Sequence, residues 1–312
     1  MNWHIILNPN AGGGKAKKEW SNIKKELEKK AISYDVSFTN APKEAAVLTQ
    51  KAIAEGARNI ISVGGDGTLN EVLNGIMLQK IVPTQEITLV EMAFGTGNDW
   101  IKSHNIRKGY KHILALISEK NNIQSHDVGV LEYSQNGEIR KHYFINITGF
   151  AFEGVVAKSI DGFRKKLDLG AFTYVMAVVF SLFKYKDFPM EIKIDEQATI
   201  KDSFFNICAG NGKYFGGGMK MLPQASFNNG LFEISLVKKI SRLKVLLNVA
   251  GLFSGKYIKN KEVSIHRGKQ LKISSSQPIW AEAEGEIIAE AKEFTVKILP
   301  QKVKVISAVL LP

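Results

Sequence analysis

The sequence contains one cysteine, Cys208, in 312 residues. That excludes an intrachain disulfide and any metal site built from several thiolates. Cys208 stands in the apolar run 204–209, the setting of a buried structural thiol and not of an exposed nucleophile. Histidine is scarce as well: the six are scattered, and no two form a ligand pair at helical spacing on an evident helix face. No apolar run reaches the ~18–20 residues that a membrane-spanning helix needs. The opening Met1-Asn2-Trp3-His4 has neither the basic head nor the long apolar core of a signal peptide, so the expected location is cytoplasmic. Internal repeats and low-complexity tracts are also missing.

Acidic residues are outnumbered, 30 Asp plus Glu against 42 Lys plus Arg, for a formal net charge of +12. Such an excess favours anionic partners: phosphates, nucleic acid or an acidic membrane surface. Aromatic residues are not interleaved with a basic stripe as single-strand binders require, which argues against nucleic acid. With 45% hydrophobic residues the chain can bury a core. At about 150 residues per domain its length implies two domains.

Strands and helices alternate over the first part. Residues 3–7, 34–38, 59–63 and 88–93 read as strands, and 15–30, 43–55 and 69–78 as helices, the first carrying Trp20, Ile23 and Leu27 at helical spacing. Alternation of this kind predicts an α/β domain with a mainly parallel sheet, whose ligands gather at the carboxyl ends of the strands. After about residue 125 the pattern changes to short alternating segments separated by turn signals such as Asn136-Gly137 and Asn229-Gly230, predicting a β-rich second domain. Two apolar helical stretches interrupt it, 172–183 and 240–253, both flanked by Lys and Arg. Core packing and a membrane-facing or lipid-groove role are both open for them.

Three glycine-rich loops fall at predicted strand ends. The strongest is Gly64-Gly65-Asp66-Gly67-Thr68-Leu69-Asn70-Glu71. Glycines let backbone amides approach phosphate oxygens, and the helix that follows offers free N-terminal amides and the positive end of its dipole. Asp66 adds a carboxylate where a magnesium ion or its water shell needs one. The loop is neither a P-loop nor a dinucleotide fingerprint, because no Gly-x-x-x-x-Gly-Lys-Ser/Thr occurs and Asn70 stands where a third Gly would be. Gly95-Thr96-Gly97-Asn98-Asp99 repeats the device at the next strand, and Asn8-Pro9-Asn10-Ala11-Gly12-Gly13-Gly14 with Lys15 supplies a third set of amides and a cation. Together they predict a nucleotide site.

These residues resemble the diacylglycerol kinase catalytic-domain superfamily, and within it the bacterial lipid kinases. Asn8-Pro9-x-x-Gly12, Gly64-Gly65-Asp66-Gly67-Thr68 and Gly95-Thr96-Gly97-Asn98-Asp99 stand in the family's order. The similarity continues through Asn211-Gly212-Lys213-Tyr214-Phe215-Gly216-Gly217-Gly218-Met219, Pro223-x-Ala225 and Asn229-Gly230-Leu231, and ends at Glu284-Gly285-Glu286. The resemblance implies an ATP-binding α/β domain over 1–123 plus 300–312, a β-sandwich-like lipid-substrate domain over 124–299, an active site between them, and a last strand near 303–309 that returns to the first domain. It further implies ATP contacts at Asn8, Pro9, Asn10, Ala11, Gly12, Thr39, Gly64, Gly65, Asp66, Gly67, Thr68, Leu69, Asn70, Thr96 and Asn98. Asp66 and Asp99 would organise the nucleotide's Mg²⁺.

Where the family reads Asp-Gly-Glu, this chain reads Glu284-Gly285-Glu286. A carboxylate there can accept the proton of the attacking hydroxyl, a role that falls to Glu286 by direct match. Glu284 carries one extra methylene, and a displacement of ~1 Å near reacting atoms can cost about 100-fold in rate. A second departure is Asn228-Asn229, where the family often has an Asp serving a structural Mg²⁺. Ser226, Asn229 and Leu231 occupy the corresponding positions, and an amide without charge makes that site weaker or empty. The implied activity is ATP- and Mg-dependent transfer of a phosphate to diacylglycerol or a related lipid alcohol. Its partners would be that lipid and anionic phospholipid at a membrane surface met peripherally, with a homodimer left open. An NAD kinase-like phosphotransferase and a lipid-binding paralogue with little transfer activity are the alternatives.

Overall fold

The structure is a computed structural model that describes residues 2–119, 122–164 and 171–309. The chain forms two compact units, residues 1–128 with 300–312, and residues 129–299. Residues 1, 120–121 and 310–312 of the expected first domain lie outside the described residues.

In the first unit, strands β1 (Asn2–Leu7), β2 (Ser33–Phe38), β3 (Asn59–Gly64) and β4 (Thr88–Ala93) alternate with helices α1 (Ala11–Lys29), α2 (Glu44–Ala54) and α3 (Asp66–Leu78). The strand order is β4-β3-β1-β2, and each of these pairs runs parallel. Ile5, Ile6 and Leu7, Ile60, Ile61 and Val63, and Leu89, Val90 and Met92 are all buried. Such near-continuous apolar runs suit strands covered on both faces. The helices supply the cover: Ile23 and Leu27 of α1, and Leu69, Val72, Leu73 and Ile76 of α3, fall on single faces at helical spacing and are buried.

Two short helices follow β4, α4 (Asp99–Ser103) and α5 (Lys111–Glu119). Below α4, the buried rings of Trp100, His104 and His126 stack in series, with centroids 4.1 Å apart for the first pair and 5.2 Å for the second. Burial lowers the pKa of both histidines, that of His126 to about 4. They are therefore neutral packing groups.

The second unit contains β5 (Ile123–Gln135), which enters from the first, then β6 (Glu138–Phe144), β7 (Ile147–Ala151), α6 (Phe152–Arg164), α7 (Ala171–Lys184), β8 (Phe188–Ile194) and β9 (Ile200–Gly210). Next come β10 (Phe232–Lys238), α8 (Arg242–Leu247), α9 (Val249–Ser254), β11 (Val263–Gly268), β12 (Gln270–Ala283) and β13 (Glu286–Ile306). The strands of this unit are antiparallel along β11-β10-β9-β7-β12-β13, with β8 joining β9 and β12. Their inward residues, among them Phe144, Phe150, Ile207, Phe232, Leu271 and Phe294, form one core.

Three details differ from the sequence reading. The stretch 240–253 is two helices broken at Asn248, not one. The last strand is not a separate segment near 303–309: β13 runs unbroken from Glu286 to Ile306, and its Lys304 and Val305 pair in parallel with Thr88 and Leu89 of β4. Helix α6 was not anticipated at all.

Candidate functional site

The three glycine loops of the first unit meet. Gly65 and Gly95 approach so closely that a Cβ on Gly65 would lie 2.9 Å from the Gly95 Cα, and one on Gly95 2.7 Å from the Gly65 Cα. Both amides of Phe94 and Gly95 donate to the Gly64 carbonyl, at 2.5 and 3.0 Å. The first loop joins through Asn8, whose Nδ2 donates to Thr68 Oγ1 at 3.3 Å, and through Gly12, whose missing Cβ leaves space for the Phe94 carbonyl. Gly12, Gly13 and Gly14 take φ of 62°, 68° and 82°, a left-handed run that other residues avoid. Thr39 lies buried at the end of β2, its amide donating to the Leu7 carbonyl at 2.9 Å.

Helix α3 begins inside this junction. Its N-cap is Gly65, which has no side chain to cap the first turn, and the first intrahelical bond is from Leu69 N–H to the Gly65 carbonyl. The amides of Asp66, Gly67 and Thr68 thus precede the ladder, and with the helix dipole behind them they form the kind of helix start that suits an anion. Lys108, absent from the sequence reading, adds a cation: its Nζ donates to the Gly95 carbonyl at 2.6 Å. Thr96 is exposed at the loop tip, and Asn98 is held in the left-handed region by its Nδ2 bond to the Gly95 carbonyl at 2.6 Å.

Several polar residues of the motif have structural work. Glu71 accepts the amides of Lys43 and Ala45 at 2.9 and 3.1 Å, so it caps α2. Asn70 Oδ1 accepts from Asn74 Nδ2 at 2.5 Å on the same helix. Leu69 is a core residue. Asp66 Oδ1 accepts the amides of Asp99 and Trp100 at 2.8 and 3.2 Å and caps α4. Burial and the neighbouring Asp99 carboxylate raise its pKa to about 6, against the pull of those amides. Asp99, itself buried, pairs with Lys102 Nζ at 2.7 Å. The Asp99 carboxylate lies close enough to disfavour the charge of Asp66, an arrangement that suits a divalent cation, and buried Asn98 Oδ1, which finds no hydrogen-bond partner, is a further oxygen of the right kind. These three residues would hold a Mg²⁺ ion; among the described residues no cluster of three His, Cys, Asp or Glu side chains does so.

In the second unit, Ala283-Glu284-Gly285-Glu286 is the tip of the β12–β13 hairpin. Glu284 and Gly285 have φ of 54° and 82°, and Ala283 pairs with Glu286. Positive φ at both central residues is the two-residue turn whose twist suits a hairpin, and it explains the glycine. Glu284 Oε1 accepts the amides of Ile145 and Asn146 at 2.9 and 2.7 Å. The longer Glu side chain therefore fastens the tip to the β6–β7 connection, while Glu286 stands exposed beside it. Asn146 extends the attachment, donating from Nδ2 to the Tyr214 carbonyl at 2.8 Å and accepting at its own carbonyl from Asn211 and Gly212 at 3.1 and 3.2 Å. The glycines that follow, Gly216, Gly217 and Gly218, all have positive φ and close a tight turn in which Phe215 and Met219 exchange backbone bonds at 2.9 and 3.0 Å. That part of the motif is scaffold.

Beneath the tip lies a buried acidic pair that sequence reasoning missed. Glu282, fully buried, accepts the Gly285 amide at its Oε2 at 2.8 Å. Glu153 accepts from Asn206 Nδ2 at 3.2 Å, and the same amide nitrogen lies 3.2 Å from Cys208 Sγ. Burial raises the pKa of Glu153 to about 7; burial and then the Glu153 carboxylate raise that of Glu282 well above the usual range. Cys208 is raised too, chiefly by burial, and is an inert thiol. Nothing in the alternating pattern of β12 marks Glu282 as buried. Ser226, Asn229 and Leu231 lie elsewhere in this unit: Ser226 Oγ donates to Asn228 Oδ1 at 3.3 Å, and Asn229 Oδ1 accepts the Leu231 amide at 3.0 Å, a local turn.

A cavity of about 670 Å³ opens between the ends of α6 and α7 and residues 277–280 of β12. Val155, Phe180, Tyr185, Phe188 and Ile279 give it apolar walls, and Lys158, Lys184 and Lys186 stand at its edge. Lys158 Nζ lies over the Trp280 ring, 3.8 Å from its centroid.

The profile of the diacylglycerol kinase catalytic domain matches residues 2–131, and that of the YegS C-terminal NAD kinase beta sandwich-like domain matches residues 148–307. Among relatives, YtlR of Bacillus subtilis (strain 168), which carries a lipid-kinase name, is 28% identical over 92% of this chain and 93% of its own. A protein of Staphylococcus carnosus (strain TM300) named diacylglycerol kinase is 27% identical over 90% and 87%. A crystal structure described as a diacylglycerol kinase from Bacillus anthracis str. Sterne shares the fold, with a TM-score of 0.71 and 20% identity over 98% of this chain and 96% of that one.

Proposed function

Since the chain belongs to the diacylglycerol kinase family and is a lipid kinase, we propose that it moves the γ-phosphate of ATP, bound with Mg²⁺, to the hydroxyl of diacylglycerol or a related lipid alcohol. One observation carries the nucleotide part: helix α3 starts uncapped where Gly65 and Gly95 meet, and so presents amides to an anion. Asn8–Gly12 and Lys108 flank those amides, and Asp66, Asp99 and Asn98 supply the oxygens for the ion. When bound, Mg²⁺ would supply positive charge against the phosphates as their charge is redistributed during transfer.

The substrate oxygen attacks the γ-phosphorus, the bond to the β,γ-bridging oxygen breaks, and ADP leaves. The hydroxyl proton passes to the Glu286 carboxylate, which is exposed to solvent, while Glu284 and Glu282 hold the tip that carries it. The apolar cavity with three lysines at its edge suits an acyl chain below and lipid phosphates above.

No helix among the described residues is long and apolar enough to cross a membrane. The proposed encounter with substrate is peripheral, at a membrane surface on its cytoplasmic side.

The test is incubation of the purified chain with γ-labelled ATP, Mg²⁺ and a panel of lipid alcohols, with NAD as a separate arm. Label in a diacylglycerol-type product is the expected result. Label in NAD alone, or in nothing, would overturn the proposal.

A further inference from the structure

Helices α8 and α9 are apolar on both sides. Their inner side packs on the core through Val245 and Leu252, and the following Tyr257 anchors it from within, its hydroxyl donating to the Met221 carbonyl and sharing a hydrogen bond of 2.9 Å with Ser235 Oγ. The outer side is also apolar. Leu243, Leu246, Leu247, Val249 and Phe253 are five of the twelve exposed large hydrophobic residues among the described residues, and they fall within eleven positions. Leu243 and Leu247 are 67% and 76% exposed, one helical turn apart. So many exposed apolar side chains close together form a patch of the kind that marks an interaction surface.

The charges around it say what that partner is. Residues 238–262 hold seven basic side chains and one acid, Glu262, which is bonded to Lys244 Nζ at 2.5 Å; Lys238 pairs with Asp202 at 2.7 Å, and Lys239, Arg242, Lys256, Lys259 and Lys261 make up the excess. A protein partner would have to offer an acidic face around an apolar centre. An anionic bilayer has that composition throughout, with phosphates at the level of the lysines and acyl chains below them. The patch is also placed for the substrate: Arg242 Nη2 donates to the Tyr185 carbonyl at 3.4 Å, so α8 starts against the end of α7. Tyr185 lines the 670 Å³ cavity together with Phe180, and Phe180 and Phe183 of α7 are exposed as well.

We infer that the outer side of α8–α9, continued by Phe180 and Phe183, is a docking surface for an anionic phospholipid bilayer, set beside the cavity that receives the acyl chain. The inference rests on the lipid-kinase reading for its purpose but not for its test. Insertion of Leu243, Leu247 and Phe253 to the depth of the upper acyl chains supplies the apolar contact, and each lysine near the surface adds about fivefold in affinity that salt removes.

The experiment is sedimentation of the full chain with vesicles of phosphatidylglycerol and phosphatidylcholine, or of phosphatidylcholine alone. It is run beside kinase assays on the same vesicles carrying diacylglycerol and on a short-chain, water-dispersed diacylglycerol. The wild type is expected to bind the anionic vesicles only. The triple variant Leu243→Glu, Leu247→Glu, Phe253→Glu should lose at least tenfold in vesicle affinity and in activity on vesicles, and keep its turnover of the short-chain substrate. Should that variant fail to fold by circular dichroism, Lys256→Glu, Lys259→Glu, Lys261→Glu makes the same test from the charged rim. Undiminished vesicle binding by the folded variants overturns the inference. A wild-type dimer in sedimentation velocity that the variants split, with vesicle binding unchanged, assigns the surface to a second copy and overturns it too. Vesicle binding lost as expected, with no transfer to either substrate by the wild type, leaves the docking surface in place and removes the kinase proposal instead.

Discussion

Asp66 caps the helix that begins with Asp99: the Asp66 carboxylate accepts the Asp99 amide at 2.8 Å, while the two side-chain charges oppose each other. The pKa of Asp66 is raised from 3.8 to about 6 by burial first and by Asp99 second. The protonated form therefore stabilises the fold below pH 4, and that contribution is lost as pH rises through about 6. If Asp66 helps to hold Mg²⁺ as proposed, binding of Mg-nucleotide needs the charged form, and its affinity should rise over the same interval. Titration of ATP affinity from pH 5 to 8 at fixed Mg²⁺ checks this. In Asp66→Asn the rise should vanish and Mg-dependent affinity should fall by at least tenfold.

Gly65 and Gly95 are expected to tolerate no side chain. A Cβ on either meets the other's Cα at 2.9 or 2.7 Å, and backbone cannot yield as a flexible side chain can. Gly65→Ala or Gly95→Ala should cost about 1–3 kcal/mol of stability and separate the loops, lowering nucleotide affinity. Gly13→Ala is the control for backbone strain alone, because its Cβ would meet nothing although its φ is 68°. Urea unfolding with and without ATP distinguishes the variants. Equal effects at all three positions would contradict the contact.

The glycine loops were legible because phosphate binding needs bare backbone at a helix start, and that need writes itself into residue type. The parallel β1–β4 core was legible because a strand covered on both faces is apolar throughout, as Ile5–Leu7 is. What stayed hidden depended on distant partners. Glu71 reads as part of a phosphate motif until its carboxylate is found capping α2, and Lys108 carries no local mark of its bond to Gly95. Helix α6 had a signal in Phe152, Val156 and Ile160, all buried at four-residue spacing, but it follows directly on β7 with no break. The turn at Asn248 that divides α8 from α9 also leaves the apolar periodicity unbroken.

At the hairpin tip, Glu286→Gln and Glu284→Ala should separate chemistry from positioning. Loss of a general base costs about 10²–10⁴-fold in rate, so if Glu286 has the proposed role, Glu286→Gln should fall by that amount in kcat with ATP affinity unchanged. Glu284→Ala leaves the amides of Ile145 and Asn146 without their acceptor and frees the tip. It should cost roughly 2 kcal/mol of stability along with a smaller loss of kcat. Glu284→Asp, one methylene shorter, sets back the single oxygen that both amides share and should fall between Glu284→Ala and the wild type. Steady-state kinetics with thermal melts on the same preparations give both readouts.

The buried pair Glu153 and Glu282 predicts instability in mild alkali. Burial raises the Glu153 pKa from 4.5 to about 7, and burial and then the Glu153 carboxylate raise that of Glu282 well above the usual carboxylate range, so the native state holds these carboxyls protonated where the unfolded chain has released its protons. Stability from the pair is complete below about pH 4.5 and declines as pH rises through 7. Glu153→Gln removes the charge and keeps a carbonyl oxygen for Asn206, so its unfolding free energy should fall less between pH 6 and 8.5 than that of the wild type. Glu282→Gln also keeps an acceptor for the Gly285 amide, whereas Glu282→Ala strands that buried donor at a cost of about 1–3 kcal/mol. If the tip is held as the Glu282 to Gly285 bond indicates, Glu282→Ala lowers kcat with little change in the KM for ATP, and Glu282→Gln restores it. Parallel pH dependence in the wild type and Glu153→Gln would show instead that the pair is solvated in solution.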